Sequence, residues 1–331
     1  MAMPYAIFFV ENSMAKKYAF LFPGQGAQTQ GMMKDVCEKY PEAQKVIEKM
    51  SEVTGKDIAK LLWETEQTEL NRSDNSQLAI TAASLAVVAA LKSKGIEPSA
   101  CMGFSLGEFP ALYVAGVLDF DQVCKIVASR GSIMQSVCEQ IAQENAGHAP
   151  GMSAILGLSP EKVEEIANGI EGAYAANLNS AVQTVIAGTF DGLEKAEAAA
   201  KEAGARRTIR LAVAGPFHSP LMQKAADNFK VALEEYTFAQ PKIALFSNVT
   251  GKQVSDPAAA KVSAVDHLTH PVRWTDEEAV LAKMMEEDSS NEWHVIEVGP
   301  GTVLTGLWSK SEFGEKWPCT AVNSAEAIDK E

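Results

Sequence analysis

Apolar residues fall into two rhythms along the chain, and the change between them marks its organisation. Short continuous runs that end at Gly or Pro read as buried strands of a parallel sheet. Residues 18–22 (YAFLF) stop at Pro23-Gly24, 98–102 lead into Gly103, and 243–247 and 295–298 close the series, the last before Gly299-Pro300-Gly301. Longer segments with helical spacing lie around 35–50, 76–94, 108–114, 119–144 and 276–285, with one more reaching about Tyr236. The stretch 76–94 (SQLAITAASLAVVAALKSK) is apolar nearly all round, holds no Gly or Pro and stops at Gly95, which predicts a core helix.

Between 151 and 213 the units shorten. They run strand (152–158), helix (159–169, opened by Ser159-Pro160), strand (173–178), strand (182–188), helix (191–203), strand (207–213). This β-α-β-β-α-β order is the ferredoxin-like unit, a small sheet with two helices on one face. Strands and helices alternate on either side of it, so the expectation is an α/β protein whose parallel-sheet core is interrupted by an inserted ferredoxin-like small subdomain. The expected division is a flexible extension over 1–13, a discontinuous core of 14–145 and 214–331, and a small subdomain of 146–213.

Composition narrows the function classes. A content of 47% hydrophobic and 22% charged residues over 331 positions excludes a disordered chain and suits one large domain or two lobes. Asp and Glu total 43 against 29 Lys and Arg, a net charge of −14 that argues against nucleic acid or an anionic membrane surface as partner. The longest apolar stretch, 79–91, is short for a bilayer span and includes Thr81 and Ser84, so no membrane association is expected. Five cysteines (Cys37, Cys101, Cys124, Cys138, Cys319), odd in number and without CxxC, signal neither disulfides nor a metal site. The N-terminal MAMPYAIFFVENS lacks a basic segment ahead of a long apolar one, so a cytoplasmic location is expected.

Gly103-Phe104-Ser105-Leu106-Gly107 fits GxSxG, the turn from strand to helix that lifts a serine hydroxyl into a cleft. With three fixed positions the motif alone is equally an ordinary structural turn; the strand-like run before it and helical run after it favour the nucleophile. A serine nucleophile needs a base, and of His148, His218, His267, His270 and His294 only His218 sits in a rigid loop, Gly215-Pro216-Phe217-His218-Ser219-Pro220, between a predicted strand and helix.

Taken in order, Phe22-Pro23-Gly24-Gln25-Gly26-Ala27-Gln28, Gly103-Phe104-Ser105-Leu106-Gly107-Glu108, Arg130-Gly131 with Met134-Gln135, Pro216-Phe217-His218-Ser219, and Val298-Gly299-Pro300-Gly301 with Leu304 resemble the motifs of the malonyl-CoA:acyl carrier protein transacylases. The resemblance runs from about Lys16 to Leu307. It implies a hydrolase-like core with an inserted ferredoxin-like lobe, as read above. It implies a Ser105–His218 dyad, an oxyanion hole from the backbone N–H groups of Gln25 and Leu106, and Arg130 on the malonate carboxylate. Malonyl-CoA is then a substrate with no bound cofactor or metal, and a carrier protein, in fatty-acid or polyketide synthesis, is a transient partner of a monomeric enzyme. Two positions depart from the family pattern: Phe104 stands where histidine is usual, and His267 where a glutamine usually offers its backbone carbonyl to the catalytic histidine. Phe217 resembles the malonyl-selecting variants.

Two other readings compete. A hydrolase of the esterase or patatin type also uses GxSxG, and Asp191-Gly192 is a patatin-like pair, though its place at the start of a helix suits capping. A non-catalytic carrier-binding module would not need Ser105, His218 and Arg130 together. For docking an acidic carrier, the cluster Arg206, Arg207 and Arg210 is the candidate patch.

Overall fold

The computed structural model describes residues 15–331; the extension expected over 1–13 lies outside them. Among the described residues ten strands form two sheets. The large sheet takes β1 (Lys16–Phe22), β2 (Pro98–Gly103), β7 (Ala244–Ser247), β8 (Lys252–Gln253), β9 (Glu292–Val298) and β10 (Cys319–Val322), in the order β10-β9-β1-β2-β7-β8. All neighbours are parallel except β8, which runs antiparallel to β7. In central β1, residues Ala19, Phe20, Leu21 and Phe22 are fully buried, so the run is apolar without alternation because helices cover both faces. The core helix, Ser73–Ser93, starts three residues before the expected 76. It is long and apolar enough to cross a bilayer, yet 83% of its most apolar window is buried inside the protein.

The small sheet contains β3 (Gly151–Leu156), β4 (Ala173–Ser180), β5 (Gln183–Gly188) and β6 (Arg207–Arg210), ordered β4-β5-β3-β6 and antiparallel throughout. Ile155, Val163, Ile186, Leu193 and Ala196 bury the helices Pro160–Asn168 and Phe190–Glu202 against one face. Met152, Ala154, Val185 and Ala187 on the other face join the main core. Backbone bonds Leu178 N–H to Val272 O and Val272 N–H to Ala176 O, both 2.8 Å, stitch β4 to the large lobe.

Several elements differ from expectation. The helix expected around 35–50 is two, Lys34–Lys39 and Pro41–Thr54, because Pro41 holds Tyr40 extended (φ −111, ψ 104) and opens the second helix itself. The strand expected over 207–213 leaves the sheet after Arg210, and 211–214 turn into the cleft. The sheet does not end with 295–298; β10 follows. The helix Pro257–Asp266 was not expected, since its small residues carry little helical contrast.

Candidate active site

The nucleophile elbow follows from close approach. β2 ends at Gly103, a single 3-10 turn spans Ser105–Gly107, and the helix Glu108–Val114 follows. A Cβ on Gly103 would stand 2.0 Å from the Gly107 carbonyl carbon, and one on Gly107 would stand 2.1 Å from the Phe22 oxygen. Only glycine fits either position. Between them Ser105 takes a left-handed conformation, φ 53, which raises its side chain out of the turn. Its Oγ lies 2.8 Å from Nε2 of His218.

His218 also has a positive φ, 58, and is 5% exposed. Its Nδ1–H donates to the backbone oxygen of His267 at 2.8 Å, so Nε2 presents a lone pair to the serine hydroxyl. Burial, and then the Arg130 cation, push its pKa down to about 4. The ring is therefore neutral at pH 7 and able to accept a proton. The contact expected of the His267 backbone is present; its ring is fully buried, with Nδ1 3.1 Å from Oε2 of Glu108.

Arg130 lies mid-way along the helix Phe120–Glu144, which Asp119 and Gln122 open with a capping box. Gly131 beside it lets this helix pack closely on the core helix, since a Cβ there would meet the Ser73 oxygen at 2.8 Å. The guanidinium is 1% exposed; Nη1–H donates to Oε1 of Gln77 at 2.8 Å, and the group lies 5.3 Å from the Phe109 ring centre. Nε and Nη2 have no partner among the described residues. Burial pulls its pKa down to about 10, partly opposed by Glu108, so it stays charged at neutral pH. A buried cation with two unused donors facing a cleft is a receptor for an anion.

That cleft, ≈ 530 Å³, is lined together by Gln25, Phe104, Ser105, Arg130, Phe217 and His218. Leu106 is buried behind Ser105, in the first turn of the elbow helix where a backbone N–H has no intrahelical acceptor. Phe104 packs against Trp274 with ring centres 5.4 Å apart. The remaining histidines are engaged elsewhere: His148 meets Phe190, His294 stacks on Tyr18, and the His270 ring bonds the Asp266 oxygen. Asp191 of the patatin-like pair is exposed in the small lobe. The cap of its helix is Thr189 rather than Asp191, since the Thr189 side chain accepts the Gly192 N–H. Among the described residues no three His, Cys, Asp or Glu side chains group as metal ligands.

Several polar residues of this site carry no motif signal in the sequence. Gln77 pins Arg130, but in the sequence it simply continues the polar start Ser73-Asp74-Asn75-Ser76 of its helix, so nothing sets it apart. Asn177 and Asn179 line the cleft from β4.

Acyl transfer through serine is the chemistry this arrangement performs, with a Ser-His dyad whose histidine is steadied by a carbonyl instead of a carboxylate. Residues 19–310 match the acyl transferase domain family. The chain is 36% identical to the malonyl CoA-acyl carrier protein transacylase of Bacillus subtilis, over 95% of each chain. It superposes on the acyl carrier protein S-malonyltransferase of Vibrio cholerae with a TM-score of 0.84 at 36% identity, covering 95% of this chain and 99% of that one. A malonyl-transacylase solved in complex with a type II polyketide acyl carrier protein also gives 0.84, at 33% identity over 95% and 98%. The chain belongs to the malonyl-CoA:acyl carrier protein transacylase family.

Proposed function

We propose that the protein moves the malonyl group from malonyl-CoA to the phosphopantetheine thiol of acyl carrier protein, for fatty-acid synthesis, as a monomer in the cytoplasm. The observation that carries this reading is the pair of unused donors on Arg130, in the same cleft as the Ser105–His218 pair. Nε and Nη2 form one edge of the guanidinium, and a malonate carboxylate fits that edge with two parallel bonds. Held there, the substrate turns its thioester carbonyl toward Ser105.

In the first half-reaction Ser105 Oγ attacks the carbonyl carbon while Nε2 of His218 takes its proton. The Gln25 and Leu106 N–H groups stabilise the negative oxygen. Ser105's own N–H is not available for this, because it donates to Oδ1 of Asn248 at 2.7 Å. Collapse expels the thiolate of coenzyme A, which takes the proton back from His218, and leaves a malonyl ester on Ser105. In the second half the phosphopantetheine thiol gives its proton to His218 and attacks the ester carbonyl; collapse breaks the bond to Ser105 Oγ, which takes that proton back from His218, and releases the malonyl thioester. The bound carboxylate also offsets the Arg130 charge that opposes protonation of His218, so binding the correct substrate strengthens the base. Phe217 and Phe104 close the acyl pocket with apolar walls.

The test is steady-state transfer to holo carrier protein at varied concentrations of both substrates. Parallel double-reciprocal lines are expected for an acyl-enzyme route; intersecting lines would require a direct transfer and remove it.

A further inference from the structure

We propose that Asn248 is a positioning residue for the nucleophile, clamping the two peptide groups that lead into Ser105, on either side of Phe104, and linking Ser105 through Glu108 and His267 to the carbonyl that holds His218. The inference rests on the reading of Ser105 as the nucleophile.

Asn248 follows β7 and is fully buried beneath the elbow. Its Oδ1 accepts the Ser105 N–H, and its Nδ2 donates to the Gly103 oxygen and to Oε1 of Glu277, each at 2.7 Å. Its backbone N–H donates to Oε1 of Glu108 at 2.6 Å. The carboxamide thus grips the peptide groups before and after Phe104 and fixes the turn in which Ser105 holds φ 53. It also commits the Ser105 N–H to the interior, which leaves the oxyanion to Leu106 and Gln25.

A second arm reaches the base. Oε2 of Glu108 is 3.1 Å from Nδ1 of His267, and the His267 oxygen accepts the Nδ1–H of His218 at 2.8 Å. A closed ring of contacts therefore runs from Ser105 through Asn248, Glu108, His267 and His218 back to Ser105, across four separate chain segments, Ser105 and Glu108 sharing the elbow. Facing it are Arg130 from the helix Phe120–Glu144, and Asp276, Glu277 and Glu278 from the helix Trp274–Glu287. Burial raises Glu108 to about 8 and Glu277 well above the usual range, and lowers His267, so neutral acids and a neutral ring occupy the cluster. At its centre the Asn248 carboxamide spends its oxygen and both donors on fixed partners, and a buried polar group bonded in this way specifies one geometry where apolar packing would allow several.

The test is single-turnover malonylation at varied malonyl-CoA, with thermal unfolding followed in parallel. Asn248→Ala is expected to lower the acylation rate constant ~100-fold, the loss typical of a reacting group displaced by about 1 Å, with the half-saturating concentration within about 3-fold of wild type. Asn248→Asp keeps the shape and the acceptor but regains the donor only when its carboxyl is protonated. Its rate is expected to approach wild type at low pH and to fall along an additional limb as pH rises. Asn248→Asp alone decides the matter if the alanine variant does not fold. A folded Asn248→Asp acylating at the wild-type rate across that pH range would overturn the proposal, as would a loss confined to half-saturation. Failure of the wild type itself to acylate would instead overturn the reading of Ser105.

Discussion

Ser105 and His218, joined by a 2.8 Å hydrogen bond, are two of the three non-glycine residues with positive φ among the described residues, the third being Met33. A left-handed L-residue costs about 1–2 kcal/mol. Both halves of the dyad therefore sit in conformations that only the surrounding fold maintains.

This strain is measurable without activity. Ser105→Ala and Ser105→Gly both lose the hydroxyl, but only glycine adopts φ 53 without penalty. The glycine variant is expected to be more stable than the alanine variant by ~1 kcal/mol in urea denaturation. An alanine variant of equal or greater stability would show that the elbow is unstrained.

Acylation should tolerate acid unusually well. His218 acts as a base only when neutral, and burial with the Arg130 cation holds its pKa near about 4 rather than 6.5. The rate of malonyl-enzyme formation is expected to stay flat from neutral pH to about one unit above that value, then to fall. In Arg130→Ala the residual rate should fall at higher pH, because the opposing cation is gone. Stability carries the opposite face of the same shift: the unfolded chain takes up this proton first, so folding weakens as pH drops from 6.5 toward 4.

Glu108 is expected to act as a neutral acid, its pKa pushed up by burial to about 8 from 4.5. A raised folded pKa gives stability that is complete below 4.5 and lost as pH rises through 8. Glu108→Gln keeps the shape and the neutral charge, so it should remain active at pH 7 and lose less stability than wild type between pH 5 and 8. Denaturation midpoints across that range check it. A glutamine variant with the same pH slope as wild type would mean that Glu108 is ionised.

How much of this was legible in the sequence depended on how local the signal was. The elbow was readable because its two glycines and serine lie within five consecutive residues between an apolar run and a helical one, and the small lobe because Gly or Pro stands at most of its element boundaries. The break at Tyr40 and the helix opened by Asp256-Pro257 are also local, but they are signalled by proline and capping and not by apolar spacing, which runs on through 35–50 and is weak over 257–266. Gln77, Asn248 and Glu277 are different. Asn248 lies 143 residues from the N–H it holds, and Glu277 looks like any helix acid until tertiary packing closes over it.

The expected carrier patch divides. Arg210 pairs with Glu197 and lies over Phe190, whereas Arg206 and Arg207 are exposed with no acidic partner among the described residues, at and beside edge strand β6. The double variant Arg206→Glu/Arg207→Glu should raise the KM for carrier protein roughly 10-fold at low salt and leave malonyl-CoA loading unchanged. Arg210→Glu should do less. A carrier KM unchanged in the double variant would put docking elsewhere.

The most direct measurement is intact mass of the protein after separate incubation with malonyl-CoA and acetyl-CoA. Wild type should carry one malonyl adduct and little acetyl, Ser105→Ala should carry neither, and Arg130→Ala should accept acetyl in place of malonyl. Equal loading of both thioesters by wild type, or a malonyl adduct that survives Ser105→Ala, would contradict the assignment of Arg130 or of Ser105 respectively.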